Sequence, residues 1–168
     1  MRRAIMAIAL MAISACAEQP SEEEIAAQAE RAVAQVKAVN STAPPIEEKI
    51  PEAIGYPDIE RHDMFGQVCA YAPGTSLGAR VIARETDAFV KVDGEIIRLA
   101  ADPGARKMPS NTRSLYNGTT YSLRLTIESE GREDPVSVGT MLYDGTMYLR
   151  DSWDRVIYEG AGLVSCGV

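Results

Sequence analysis

The feature that most constrains the fold is a series of short runs of alternating apolar and polar residues between residues 64 and 166. Tyr121 to Ile127 is the clearest run, because its apolar residues occupy every second position. A strand of an antiparallel sheet with one buried and one solvated face has this pattern. Three dipeptides typical of type I′ hairpin turns lie between such runs: Asp93-Gly94, Asn117-Gly118 and Asp144-Gly145. We therefore predict that 63–168 is a mainly β domain, a small antiparallel barrel or sandwich of about eight strands. Gly160-Ala161-Gly162 predicts a β-bulge or tight bend near its last run.

Residues 16–62 predict one helix followed by a Pro-rich linker. Ser21 and Glu24 form a capping box, and apolar residues at 25, 29, 32, 36 and 39 recur at helical spacing up to about Asn40. This apolar stripe is narrow and Ala-rich, which favours a lone helix over a coiled coil. Proline lacks an amide donor and fixes φ, so the following segment is predicted to be an extended spacer. Four apolar residues leave open that part of it packs on the β domain: Ile46, Ile50, Ile54 and Tyr56.

The first residues have the features of an export signal. Arg2 and Arg3 precede an apolar run from Ala4 to Ile13, which is too short to span a bilayer because a span needs about 20 apolar residues. Ile13-Ser14-Ala15-Cys16 resembles the bacterial lipobox. The resemblance implies that residues 1–15 are a signal peptide and that Cys16 carries a lipid. Because Ala17 rather than Asp follows Cys16, it also implies an outer-membrane location facing the periplasm. Cleavage by ordinary signal peptidase after Ala17, releasing a soluble protein, is the less favoured alternative.

Two further cysteines predict a disulfide. With Cys16 assigned to the lipid, Cys69 and Cys166 remain as an even number in an oxidising compartment, and we expect them to be bonded to each other. Two free buried thiols are the alternative. A zinc site is disfavoured, because neither cysteine has a second Cys or a His nearby in the sequence.

Charge and motifs argue against several functions. Residues 16–62 carry four basic and ten acidic residues, and residues 63–168 carry 11 basic and 14 acidic residues. A chain with this charge balance does not offer the strongly basic face that binds nucleic acids, so we expect no nucleic-acid partner. The one histidine, His62, lies beside the linker and not in the β domain, where a Ser-His-Asp triad would need a base. Asp151 and Asp154 are a carboxylate pair that could do acid–base work, but acidic surface pairs are usually solvated. We predict a non-catalytic protein without a metal or cofactor.

The segment from Ala101 to Ser114 is long for a connection between strands, and long loops on rigid scaffolds often carry function. We therefore take Arg106, Arg113 and Tyr116 as candidate binding residues. The layout of the chain resembles the membrane-bound inhibitors of animal-type lysozyme, which are bacterial lipoproteins with a small barrel closed by a disulfide between early and late strands. The resemblance rests on the lipobox, the Cys69 strand, and the segments 89–95 and 158–166. Residues 110–116 take the place of their S-G-x-x-Y-type inhibitory loop, but without the glycine.

Three functions are compatible with the sequence. The first is a non-catalytic envelope lipoprotein whose β domain binds an envelope protein or glycan, with the membrane reached through Cys16. The resemblance implies the second, inhibition of animal-type lysozyme, in which an acidic surface would steer the domain towards a basic enzyme. The third is a hydrolase that acts through carboxylates.

Overall fold

The computed structural model describes residues 21–76 and 78–167. The signal peptide and Cys16 lie outside the described residues. The chain forms two compact units, which divide between Pro44 and Pro45. The elements are α1 (Glu22–Ser41), α2 (Tyr56–Arg61), β1 (Val68–Pro73), β2 (Val81–Ala83), β3 (Asp87–Val92), β4 (Glu95–Ala101), a 3₁₀ turn (Pro109–Asn111), β5 (Leu115–Asn117), β6 (Ser122–Ile127), β7 (Arg132–Glu133), β8 (Met141–Arg150) and β9 (Val156–Gly167).

The first unit contains α1, and the predicted helix is confirmed. The capping box is present: the Ser21 hydroxyl accepts from the Glu24 amide, and the Glu24 carboxylate accepts from the Ser21 amide at 2.9 Å. Three acidic residues in the first turn also interact favourably with the helix dipole. The apolar stripe of α1 is exposed to solvent, as Ile25, Val36 and Val39 show.

The second unit is a closed antiparallel barrel, so the choice left open between a barrel and a sandwich is decided. Strands follow the order β6-β5-β4-β3-β2-β1-β9-β8, and an additional pairing between β6 and β8 closes the circle. β7 pairs with β8 beyond the end of β6. Alternate residues point into the barrel, where they form one core. Its fully buried side chains include Tyr71, Val81, Val90, Leu99, Tyr116, Leu123, Leu125, Met147, Leu149 and Val164.

Two of the predicted glycine turns join neighbouring strands. Asp93 and Gly94 both have positive φ, 50° and 79°, and connect β3 to β4, as a type I′ turn requires. Asn117 is the last residue of β5, and Gly118 begins the connection to β6, in which its amide donates to the Tyr121 carbonyl at 2.9 Å. The hairpin is present there, but neither residue has positive φ, so the turn is not of type I′. The third prediction is wrong, because Asp144 and Gly145 lie inside β8, which runs unbroken from Met141 to Arg150.

Glycine is needed in β8 and β9 because the backbone of a neighbouring strand comes very close, and not because the chain turns there. A side chain at Gly145 would overlap the carbonyl oxygen of Thr126, and one at Gly162 would overlap that of Ala72. Gly145 and Gly162 face each other across β8 and β9. The bulge predicted at 160–162 is wrong, because the register of β9 with β8 runs unbroken through these residues. The irregularity in this pair of strands lies instead between Leu149 and Arg150.

The predicted disulfide between Cys69 and Cys166 is confirmed. The two residues are directly opposite each other in β1 and β9, with Cα atoms 4.1 Å apart. The bond therefore joins the first strand of the barrel to the last one, across 97 positions of sequence. Both cysteines are buried and belong to the barrel core.

Residues 45–64, which we call the strap, pack on the outside of the barrel. The amides of Glu52 and Ile54 donate to the carbonyls of Lys91 and Ala79, each at 2.8 Å. Ile54 and Met64 of the strap are buried against two outward-facing residues of the sheet, Ile82 and Phe89. The compact unit thus begins at Pro45, within the segment predicted to be a helix and a linker, and of the four apolar residues that could pack on the barrel Ile54 is the buried one. The physical reason is that β2 and β3 carry apolar side chains on both faces, and the outer face needs a cover.

One salt bridge joins the strap to β3, and a second group joins β3 to β4 and to the β2–β3 connection. The Lys91 ammonium donates to the Asp58 carboxylate at 2.9 Å, and this hydrogen bond, with one from the Gly55 amide, lowers the pKa of Asp58. Asp87 is almost fully buried between Arg84 and Arg98, with N–O distances of 2.6–2.8 Å. Burial alone raises the pKa of Asp87, but the hydrogen bonds from both guanidinium groups outweigh it and leave that pKa below its usual value.

Candidate functional site

The connection between β4 and β5 is the longest loop on the barrel, and hydrogen bonds fold it back on itself. The Asp102 amide donates to the Leu115 carbonyl, and the Ser114 amide donates to the Arg106 carbonyl, both at 3.0 Å. The Asp102 carboxylate accepts from the Gly104 amide at 2.8 Å. Met108 is buried in the barrel core. The loop is thus an ordered structure that presents fixed side chains.

Tyr116 anchors this loop from inside the barrel. Its side chain is fully buried, and its hydroxyl donates to the Arg84 carbonyl at 2.8 Å and accepts from the Arg113 amide at 2.7 Å. Burial raises the pKa of Tyr116, so the phenol remains protonated. The sequence placed Tyr116 among the binding residues, but its side chain does not reach the surface. Its position in β5 directs it inwards, where it holds the chain at Arg113.

The other two predicted binding residues differ from each other. Arg113 is half-buried, and its guanidinium donates to the Ala105 carbonyl at 3.3 Å, so it stabilises the loop. Arg106 is exposed. The structure therefore brings all three predicted residues into one region but leaves only Arg106 facing solvent with a free guanidinium.

Arg106 lines an open groove of about 480 Å³ between the loop and the outer face of β5 and β6. We call it the arginine groove. Five of its eight lining residues are polar or charged, and the full set is Asp102, Gly104, Ala105, Arg106, Ser114, Leu115, Arg124 and Thr126. Arg124 faces outwards because its neighbours Leu123 and Leu125 are fully buried in the barrel. It pairs in register with Leu115 of β5.

The basic side chains of the second unit differ in whether they form hydrogen bonds or ion pairs. Among the residues of this unit that the structure describes, Arg106, Lys107 and Arg124 have no hydrogen bond or ion pair through their side chains. The other lysines and arginines contact a carboxylate or a carbonyl oxygen: Lys49, Arg61, Arg80, Arg84, Lys91, Arg98, Arg113, Arg132, Arg150 and Arg155. The unengaged cations are therefore gathered at one loop and the strand beside it.

Two free guanidinium groups in one groove can bind an anion. A guanidinium offers a planar set of donors that matches a carboxylate, and charge-assisted hydrogen bonds of this kind are the stronger ones in proteins. Arg124 was not singled out from the sequence. A signal was available, because the alternation in the run from Tyr121 to Ile127 places it on the solvated face. Its partnership with Arg106 was not visible, since the two residues are far apart in the chain.

The carboxylate pair considered for catalysis is engaged in a turn. Asp151 accepts from the amides of Trp153 and Arg155, each at 2.9 Å, and from the Arg155 guanidinium at 2.8 Å. Burial raises the pKa of Asp151, but these hydrogen bonds outweigh it and lower that pKa. A general acid needs the opposite shift. Asp154 is exposed and lies 3.5 Å from the Arg150 guanidinium.

Comparisons of the chain with protein-family models, with curated proteins and with solved structures found no match. Within the described residues, no group of three or more His, Cys, Asp or Glu side chains is placed to hold a metal ion. The described helices include none with the length and apolar character needed to cross a bilayer. Inference about function therefore rests on the geometry of the barrel and its loop.

Proposed function

We propose that this protein is a non-catalytic lipoprotein of the bacterial envelope, and that its barrel binds an envelope glycan or protein at the arginine groove. The lipid on Cys16 would anchor the chain to the outer membrane facing the periplasm. α1 and the residues around Pro44 and Pro45 would connect that anchor to the barrel. The proposal for the anchor is supported by the lipobox-like sequence that ends at Cys16.

The observation that carries the binding proposal is the gathering of unengaged cations. Arg106 and Arg124 line one groove without a partner, although the second unit has more acidic than basic residues. Carboxylates are available on the surface, including that of Asp102 in the groove itself, yet none of those in the described residues pairs with these two side chains. An exposed arginine that serves folding alone would gain by packing its stem or pairing its charge. A ligand that supplies an anion gives both residues a role.

The anchor and the binding site are tested separately. Mass spectrometry of the mature N-terminus is expected to show a chain that begins at Cys16 with acyl groups attached. A chain that retains residues 1–15, or that carries an unmodified thiol at Cys16, would contradict the anchor.

The binding test compares the wild-type protein with an R106Q/R124Q variant in pull-downs from fractionated envelope material. We expect one glycan or protein component to be retained by the wild type and lost from the variant. R132Q is the matched control, because it removes one exposed arginine that pairs weakly with Asp144 at 3.5 Å and does not line the groove. Equal retention by all three proteins would contradict the proposal.

Inhibition of animal-type lysozyme is the second candidate. The observation that favours it is a closed barrel whose first and last strands are joined by a disulfide, which is the layout that the resemblance implies. A turbidity assay with hen-type lysozyme tests it directly. The expected result under this candidate is inhibition at micromolar protein, and unchanged lysis at that concentration would remove it.

A further inference from the structure

We infer that the ligand of the arginine groove is an acidic saccharide, held through a carboxylate that lies between Arg106 and Arg124. This inference rests on the proposed function, since it names the ligand class of the same groove. It goes beyond the proposal by choosing between a glycan and a protein and by assigning the charge that is recognised.

The charge of the ligand follows from the free donors in the groove. Arg106 and Arg124 are exposed and, within the described residues, unengaged, and Lys107 adds a third such cation next to Arg106 in the chain. A carboxylate can accept two parallel hydrogen bonds from one guanidinium, which gives both attraction and orientation. A neutral saccharide would leave both guanidinium groups without their charge partner. The groove is therefore matched to an anion.

The groove also has groups that suit hydroxyls. Ser114 lines it with 7% of its surface exposed, and its hydroxyl has no hydrogen-bond partner within the described residues. Because this hydroxyl is not hydrogen-bonded to the described part of the protein, it is free to exchange a contact with water for one with a ligand hydroxyl. The Asp102 carboxylate lies in the same lining, and one of its oxygens has only a long contact of 3.4 Å to the Asn117 amide group. It remains able to accept from a second hydroxyl.

The surroundings of the groove argue against a protein partner. Specific protein interfaces typically have aromatic or other large apolar side chains at their centre. Of the residues that the structure describes, the large hydrophobic side chains that are well exposed lie before residue 66 or after residue 135. None belongs to the loop or to β5 and β6, and the aromatic residue directly opposite Arg124, Tyr148 of β8, is half-buried. The groove volume of about 480 Å³ falls within the range of sites for small ligands, roughly 300–1,000 Å³.

The test uses the full-length chain in mild detergent and three probes. The acidic probe is a short oligomer of galacturonic acid. Its fully methyl-esterified form has the same sugar ring and length without the carboxylate charge. The third probe is a peptide of glutamic acid residues. Amide chemical shifts report the site of binding, and titration calorimetry reports the affinity.

We expect the acidic oligomer to bind, to shift amides of the loop and of β6, and to lose at least tenfold in affinity in the R106Q/R124Q variant. The R132Q control should bind as the wild type does. Affinity should also fall as the salt concentration rises, because the contact is between exposed charges. The unfolding temperatures of the variants should equal that of the wild type, which separates a loss of binding from a loss of fold.

Three results would overturn the inference. Equal binding of the methyl-esterified oligomer would remove the carboxylate from recognition. Tighter binding of the glutamate peptide would make the ligand an acidic protein segment. Failure of every probe, while envelope material is still retained through Arg106 and Arg124, would reject the acidic saccharide and leave the proposed function intact. Loss of that retention as well would reject the proposed function itself.

Discussion

Reduction of the disulfide between Cys69 and Cys166 should destabilise the barrel more than any single substitution on its surface. The bond links the first and last strands, whose pairing is part of barrel closure. In the unfolded chain the same bond restricts a loop of about 97 residues. Breaking it leaves the native strand pairing in place and releases conformational entropy to the unfolded state.

The magnitude follows from the length of the loop. In the chain-entropy model, a loop of this length is worth about 4.7 kcal/mol at 25 °C. With a urea dependence of about 2 kcal/mol per molar for a domain of this size, the unfolding midpoint should fall by roughly 2 M. Domains are stable by only about 5–15 kcal/mol in total. The reduced barrel should therefore be marginally stable or unfolded at 37 °C.

The assay is urea unfolding followed by tryptophan fluorescence and by circular dichroism, with and without a reducing agent. C16S is the control, because it removes the third cysteine of the chain and keeps the disulfide between Cys69 and Cys166. Its oxidised midpoint should equal that of the oxidised wild type. If the reduced and oxidised proteins unfold within about 0.3 M of each other, the entropy argument is refuted, because the midpoint is read directly from the transition and the expected difference is roughly 2 M.

Three further predictions concern the packing of the barrel. D87N should cost about 1–3 kcal/mol in urea unfolding, because it weakens charge-assisted hydrogen bonds at a buried site while the two arginines remain partly exposed to water. Because the folded pKa of Asp87 lies below its unfolded value, the wild-type contribution is complete above about pH 4 and is lost as the pH falls through the folded pKa. A wild-type stability that is flat between pH 5 and pH 2 would contradict this. G145A should destabilise the barrel by more than about 2 kcal/mol, because the added methyl would overlap a carbonyl oxygen. G55A, where a methyl would have ordinary contacts, should cost less than about 1 kcal/mol, and similar unfolding midpoints for the two variants would reject the argument from close approach. Ile54 is 6% exposed and Ile50 is 77% exposed, so I54A should cost about 2–5 kcal/mol and I50A less than about 0.5 kcal/mol. Equal costs in the same assay would show that the strap does not contribute to the core.

The barrel could be predicted because its signals are local. Alternation in a run such as Tyr121 to Ile127 depends only on neighbours in sequence, and so does the turn at Asp93-Gly94. The disulfide could be predicted from the number of cysteines and the expected compartment. The failures at Asp144-Gly145 and at 160–162 have one cause: a glycine required by a close approach across the sheet has the same local pattern as one required by a turn.

The strap and the groove depend on contacts that no local pattern contains. β2, from Val81 to Ala83, is apolar on both faces, and that continuity is a signal that something covers the outer face. It does not identify the strap as the cover. Tyr116 lies on a strand of three residues, too short for alternation to assign a direction. The sequence therefore located the candidate binding loop but assigned one of its buried anchors to the surface.

The structure separates the residues that hold the loop from those that could bind a ligand. Tyr116 and Arg113 use their donors and acceptors within the loop and its neighbouring strand, whereas Arg106 and Arg124 make no hydrogen bond or ion pair to the described part of the barrel. Substitution of the first pair should lower stability and binding together. Substitution of the second pair should lower binding alone. A site with this division keeps a fixed shape without its ligand, so that binding needs little ordering of the protein and the free charges set its selectivity.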